Sequence, residues 1–130
     1  MDFIDGQPIF VQIAERLSDE ILQGKYGADC RVPGVRDYSV LLEVNVNTTV
    51  KAYDLLAQRG VLYSRRGLGY FVAADAQESI RNSRRHDFFQ HELPRMVQKM
   101  KQLGITLEEL KRVIIAHLLA CIYQWHCRRH

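Results

Sequence analysis

In VRDYSVLLEVNVNTTVKAYDLL, residues 35–56, two helical patterns follow one another with almost no chain between them. The first reads as a short helix from Val35 that Asn45 breaks. Asn45 then serves as the N-cap of a second helix, with Val46 as its first helical residue and Gly60 as its stop. Short polar side chains are poor in helix interiors but good at N-caps, where free backbone N–H groups need acceptors. A step this tight between two helices is the requirement of a helix-turn-helix.

The flanks extend the pattern. Upstream, PIFVQIAERLSDEILQG places Ile9, Ile13, Leu17, Ile21 and Leu22 at helical spacing, with Pro8 opening the helix and Gly24 stopping it. An extended link, CRVPG, follows, and Pro33 disfavours helix at Val32. Downstream, the β-prone runs VLYSRR and YFVAA flank GLG, which reads as a hairpin whose tip needs glycine. Three helices and a hairpin within residues 1–74 predict a winged helix-turn-helix domain. The fold class is mainly α with a small β-wing.

Residues 75–130 read as a helical linker and dimerisation region. ESIRNSRRHD is polar and basic, and FFQHELPRMVQKMKQL is amphipathic, with Pro94 predicting a kink or break. Thr106 and Glu109 have capping-box spacing before a long apolar run. Its Leu107, Leu110, Ile114, Leu118, Ile122 and Trp125 fall on one broad face, too apolar for a lone helix in water. A second copy of the chain is the natural cover. The expected dimerisation residues are Phe88, Met96, Met100, Leu110, Ile114, Leu118 and Ile122.

Charge distribution matters more than the net charge of +3. Residues 1–74 carry eight Lys/Arg against nine Asp/Glu, and residues 75–130 carry ten against six. A DNA-binding first half must therefore rest on where its few cations sit. Asp2, Asp5, Glu15, Asp19 and Glu20 lie on or before the first helix, which can be turned away from DNA. No apolar run approaches the roughly 18 residues of a membrane span, and MDFIDGQPIF has no secretory-signal pattern. Three cysteines, Cys30, Cys121 and Cys127, fit no disulfide framework, so a cytoplasmic protein with reduced thiols is expected.

In a helix-turn-helix the second helix presents its first turn to the major groove. Asn47 and Thr48 then project forward and Lys51 follows one turn on, while Val50, Tyr53 and Leu56 face the core. Asn can pair bidentately with adenine, and Thr can donate, accept or touch a thymine methyl. Arg36 starts the preceding helix, and Arg65 and Arg66 precede the wing glycines Gly67 and Gly69, suited to a minor groove. The expected DNA-binding set is thus Arg36, Asn45, Asn47, Thr48, Lys51, Arg65, Arg66, Gly67 and Gly69. By itself the polar helix start could be only a cap, and Arg65–Arg66 only a solvated turn; the neighbouring helix and wing favour DNA. Arg81, Arg84 and Arg85 read as a solvated helix face rather than a second DNA contact.

PIFVQIAERLSDEILQGKY, VPGVRDYSVLLEVNVNTTVKAYDLLAQRGVLYSRRGLGYFVA and FFQHELPRMVQKMKQLGITLEEL resemble the GntR superfamily of bacterial repressors. The short C-terminal part is similar to its YtrA-type subfamily. The resemblance reaches to about Leu110, and V-N-x-N-T and R-R-G-x-G-Y-F-V are its more specific motifs. It implies a homodimer on a palindromic operator, a two-helix dimerisation unit, and control of neighbouring ABC transporter genes. By the same resemblance Arg36, Asn47, Thr48, Lys51, Arg66 and Gly67 match DNA-facing positions. The chain departs from the family at Gly34, where Ser or Thr is usual, at Val46, where Pro is common, and at Lys51, where Arg is common. Lys keeps the charge without the bidentate fork, which suits a phosphate better than guanine.

Two other classes of function stay open. His117 and Cys121, four apart, and His126, Cys127 and His130 at the terminus invite a metal reading. A site needs three or four convergent ligands, and a packed His and a buried thiol are the ordinary explanation, so no metal or other cofactor is expected. The alternatives are an effector- or metal-gated sensor, with an unidentified small molecule at the dimer interface, and a winged helix that docks a protein. No P-loop, nucleophile elbow, HExxH or dinucleotide fingerprint is present, and no enzymatic activity is expected.

Overall fold

A computed structural model describes residues 3–129, with side chains to Arg128. His130 of the terminal His/Cys group and Asp2 of the acidic set lie outside the described residues. The order is α1 (Ile9–Leu22), α2 (Val35–Leu42), α3 (Val46–Gln58), β1 (Leu62–Arg65), β2 (Gly69–Val72), α4 (Ala76–Asp87), a π-helical turn (Phe88–Glu92), α5 (Leu93–Leu103) and α6 (Leu107–Arg129). No helix among the described residues is long and apolar enough to cross a membrane.

The chain divides into two compact units, the first ending at Arg85 and the second beginning at His86. In the first, α1 supplies Ile13, Ala14, Leu17 and Ile21 to the core, whereas Ile9, in the first turn of α1, is exposed. Against these pack Tyr38 and Leu42 of α2, Ala52, Tyr53 and Leu56 of α3, Leu62 and Val72 of the hairpin, and Ala76 and Ile80 of α4. The packed unit therefore continues past residue 74, because α4 lays its two apolar residues on the domain.

Helix α2 ends at Leu42, earlier than expected. Glu43 takes a left-handed conformation (φ +56°), and its N–H bonds back to Val40. That residue, not Asn45, stops the helix, and Val44 spans the gap. Ser39 and Thr49, both buried, hydrogen-bond at 2.8 Å and tie α2 to α3.

The two strands are antiparallel, with Leu62 opposite Val72 and Arg65 opposite Gly69. The CRVPG link does more than connect: Arg31 bridges Phe71, Val32 N–H donates to Tyr70, and Val72 N–H donates to Cys30. It lines β2 as a partial third strand.

The second unit is helical. Instead of ending a helix, Pro94 sits at the start of α5, directly after the π-helical turn. Proline lacks an N–H and its ring crowds the carbonyl four residues back; widening the preceding turn relieves both. The N–H of Glu109 donates to Thr106 Oγ1 (3.2 Å), as the capping spacing predicts. Along α6 the apolar surface is wider than one face, since Ile115, Leu119 and Tyr123 form a second row. His117 and Cys121 are exposed on this helix rather than packed within the chain, because apolar side chains here have no covering element among the described residues.

Candidate nucleic-acid interface

Helix α3 begins as its sequence dictates. Asn45 is extended (φ −65°, ψ 139°) and its side-chain oxygen accepts the N–H of Asn47 at 2.8 Å. The Asn45 carbonyl takes the N–H groups of Thr48 and Thr49. Asn47 is exposed and Thr48 half-buried, with Lys51 exposed one turn on. Tyr53 and Leu56 face the core as expected, but Val50 does not: it is 36% exposed. The buried positions are Thr49, Ala52, Tyr53 and Leu56, so at its first turn the helix buries Thr49 in place of Val50. Its neighbour Ser39 explains this, because a buried hydroxyl partner draws Thr49 inward and turns Val50 out.

Tyr53 donates to the Pro33 carbonyl and packs edge-on against Tyr70 with ring centroids 5.0 Å apart. Burial, then the charge of Asp54 on α3, raises the Tyr70 pKa. Gly34 provides no side-chain cap for α2, but Asp37 in the first turn gives the helix dipole a negative partner. Arg36, beside it, is exposed.

At the wing, Arg66, Gly67 and Leu68 form the tip, closed by Leu68 N–H donating to the Arg65 carbonyl at 2.9 Å. Gly67 (φ +77°) and Gly69 (φ +103°) adopt conformations that disfavour any side chain. Arg65 stacks over Tyr63 and Phe71, at 5.7 and 5.8 Å from their centroids, while Arg66 projects from the turn itself.

The charges of residues 3–74 separate by face. On α1, Glu15 pairs with Arg59 (3.4 Å) and Arg84 (3.0 Å), Asp19 with Arg84 (2.7 Å), and Glu20 with Arg16 (3.4 Å) and Lys25 (3.9 Å). Arg84 is thereby a clasp between α4 and α1, not a free solvated cation. The remaining cations of this stretch, Arg31, Arg36, Lys51, Arg65 and Arg66, make no ion pair among the described residues. The carboxylates of α1 form ion pairs, whereas the cations without an ion pair lie at α2, α3, the wing and its neighbouring strand, where Asp29, Asp37, Glu43 and Asp54 form none either. The sequence reading missed Arg31, and only the pairing of its strand with β2 brings it there. No group of three metal-ligating side chains occurs among the described residues.

Comparison with known proteins agrees with this geometry. The profile of bacterial regulatory proteins of the gntR family matches residues 10–72. The HTH-type transcriptional regulator YhcF of Bacillus subtilis is 30% identical over 83% of this chain and 88% of its own length. The chain belongs to the GntR family. Its GntR relatives include the HTH-type transcriptional repressor YtrA of B. subtilis, 25% identical over 79% of this chain and 78% of that protein. A GntR-family regulator from Bacteroides thetaiotaomicron superposes with a TM-score of 0.79, at 33% identity, over 85% of this chain and 97% of that one. The AraR DNA-binding domain in complex with operator ORR3 matches 56% of this chain and 86% of that chain, with a TM-score of 0.51 and 34% identity. These relatives are transcriptional regulators and not enzymes. The chain is accordingly a transcriptional regulator with a DNA-binding winged helix.

Proposed function

We propose that this GntR-family regulator is a homodimeric repressor that reads a palindromic operator, one half-site per protomer. The observation that carries the reading is the separation of charge, with every acid-paired cation of residues 3–74 on the α1 side and the unpaired ones around α3 and the wing. In this reading Asn47 and Thr48 contact base edges, and Arg36 and Lys51 hold phosphates. Arg65, Arg66, Gly67 and Gly69 approach the minor groove. Asn45 mainly caps α3; its side-chain NH2 is the part left for DNA.

Dimerisation is proposed through the second unit. Ile114, Leu118 and Ile122 are all at least 44% exposed, Phe88 and Met96 are exposed, and Met100 and Leu110 are half-buried. A helix apolar over most of its circumference needs burial on more than one side, which two helices from each of two protomers can supply. Repression follows the name of the relative YtrA, and operator binding follows the AraR complex. The YtrA-type resemblance nominates neighbouring ABC transporter genes as targets, with the protein acting on DNA in the cytoplasm.

The test is fluorescence anisotropy against DNA from upstream of the chain's own gene, with an unrelated duplex of equal length as control. With about three or four phosphates neutralised per protomer, log K falls with log salt at a slope of about −6. Absent or salt-insensitive binding by a folded dimer would refute the reading in favour of a protein-docking module.

A further inference from the structure

We propose that Arg31 is a third wing cation and grips a DNA backbone phosphate alongside Arg65 and Arg66. The inference rests on the reading that the wing meets DNA, and it assigns a residue that lies far upstream of the wing in sequence.

Register sets the geometry. Directly opposed residues share a face of a sheet, and alternate residues along a strand share it too. Arg31 opposes Phe71, Phe71 opposes Tyr63, and Arg65 opposes Gly69. These five residues therefore line the outer face, while Leu62 and Val72 are buried on the inner one. The Arg31 side chain does not point straight out. A Cβ built on Gly69 would stand 3.2 Å from Arg31 Nε, so the guanidinium stem lies over Gly69, two residues from Phe71 in the direction of the tip. Arg65, across from Gly69, is held over the Tyr63 and Phe71 rings. Two guanidiniums thus flank one glycine at the base of the turn that carries Arg66.

Among the described residues, no carboxylate forms an ion pair with them. Arg31 is exposed and makes no ion pair among the described residues. Asp29, the nearby acid of the same segment, accepts from the Tyr63 hydroxyl at 2.9 Å, the largest cause of that tyrosine's raised pKa; it keeps its charge but forms no ion pair with Arg31 or Arg65. On the α1 side the same protein pairs its cations with carboxylates. Leaving three arginines together without one costs mutual repulsion unless an external polyanion joins them, and the ligand of this fold is a polyanion.

The experiment compares wild type, Arg31→Gln and Arg31→Lys by anisotropy with the upstream duplex across a salt series, after thermal melts establish that all are folded. Each lost phosphate contact flattens the slope by about 0.9, so the Gln dimer is expected to be shallower than wild type by about 2, with Lys retaining the wild-type slope. An unchanged slope in Arg31→Gln overturns the assignment and leaves the DNA reading intact. A slope equally flattened in Arg31→Lys would make Arg31 a packing residue on Gly69 and also overturn it. A wild type that binds neither duplex overturns both readings.

Discussion

Asn45 and Asn47 are chemically identical and two positions apart, yet the hydrogen bonding of the first turn gives them different tasks. The side chain of Asn45 is committed to the N–H of Asn47, whereas the side chain of Asn47 is exposed. Their substitution by alanine separates the two. Asn45→Ala is expected to cost about 1 kcal/mol of stability, measured by denaturant unfolding, and to weaken all DNA sequences alike. Asn47→Ala is expected to leave stability nearly unchanged and to relax base preference by about 1–3 kcal/mol at one position per half-site, read by binding to a panel of single-base operator variants. A uniform loss across that panel would make Asn47 a positioning residue. The cap could be read from residue types and spacing, because capping is local. The outward turn of Val50 could not, because Val, Tyr and Leu at three-residue spacing look alike whichever of two adjacent stripes is buried. The partner that decides it, Ser39, is on another helix.

Among elements, α2 is fixed to its neighbours by polar as well as apolar contacts. Tyr38 donates to Glu20 Oε1 of α1 at 3.1 Å in a buried setting, and Ser39 meets Thr49 of α3. Burial foremost, and the charge of Glu20 after it, push the Tyr38 pKa well above its ordinary value of 10.0, and burial does the same to Tyr53. For groups raised in the folded state, the neutral form is the stabilising one. Their contribution is complete below the unfolded pKa and is lost as pH rises beyond it. Stability measured by urea unfolding is therefore expected to fall steadily above about pH 10, where the unfolded tyrosines ionise. Tyr38→Phe should shallow that alkaline fall while lowering stability at neutral pH by about 1–3 kcal/mol, since Glu20 loses a buried donor. A variant with an alkaline limb as steep as wild type would contradict this account. The existence of α2 was legible from its apolar periodicity. Its end was not, because a non-glycine residue in a left-handed turn, Glu43, carries no composition signal.

At the scale of the whole molecule, two apolar surfaces behave differently. The one on α1 to α4 is closed by the chain itself, and the one on α6 remains exposed, with Leu118 and Leu119 both 60% accessible. If α6 carries the proposed dimer contact, Leu118→Glu is expected to shift the protein from dimer to monomer in sedimentation velocity while the first unit keeps its melting transition. Operator binding should then lose the steep salt dependence of a two-site complex, because each monomer engages only one half-site's phosphates. A Leu118→Glu protein that remains dimeric would place the dimer contact elsewhere.

What the sequence alone determined here is everything governed by near neighbours: the three helices, the tight step, the capping Asn45, the glycines of the wing and the disturbance at Pro94. Those depend on spacing, backbone freedom and a missing N–H, all encoded within a few residues. Tertiary structure decided which face of α3 is buried, which cations are paired by α1 carboxylates, and that the strand carrying Arg31 lines the wing. These outcomes depend on residues far apart in the chain meeting across packed elements. Their energies come from buried hydrogen bonds and ion pairs that local pattern does not specify.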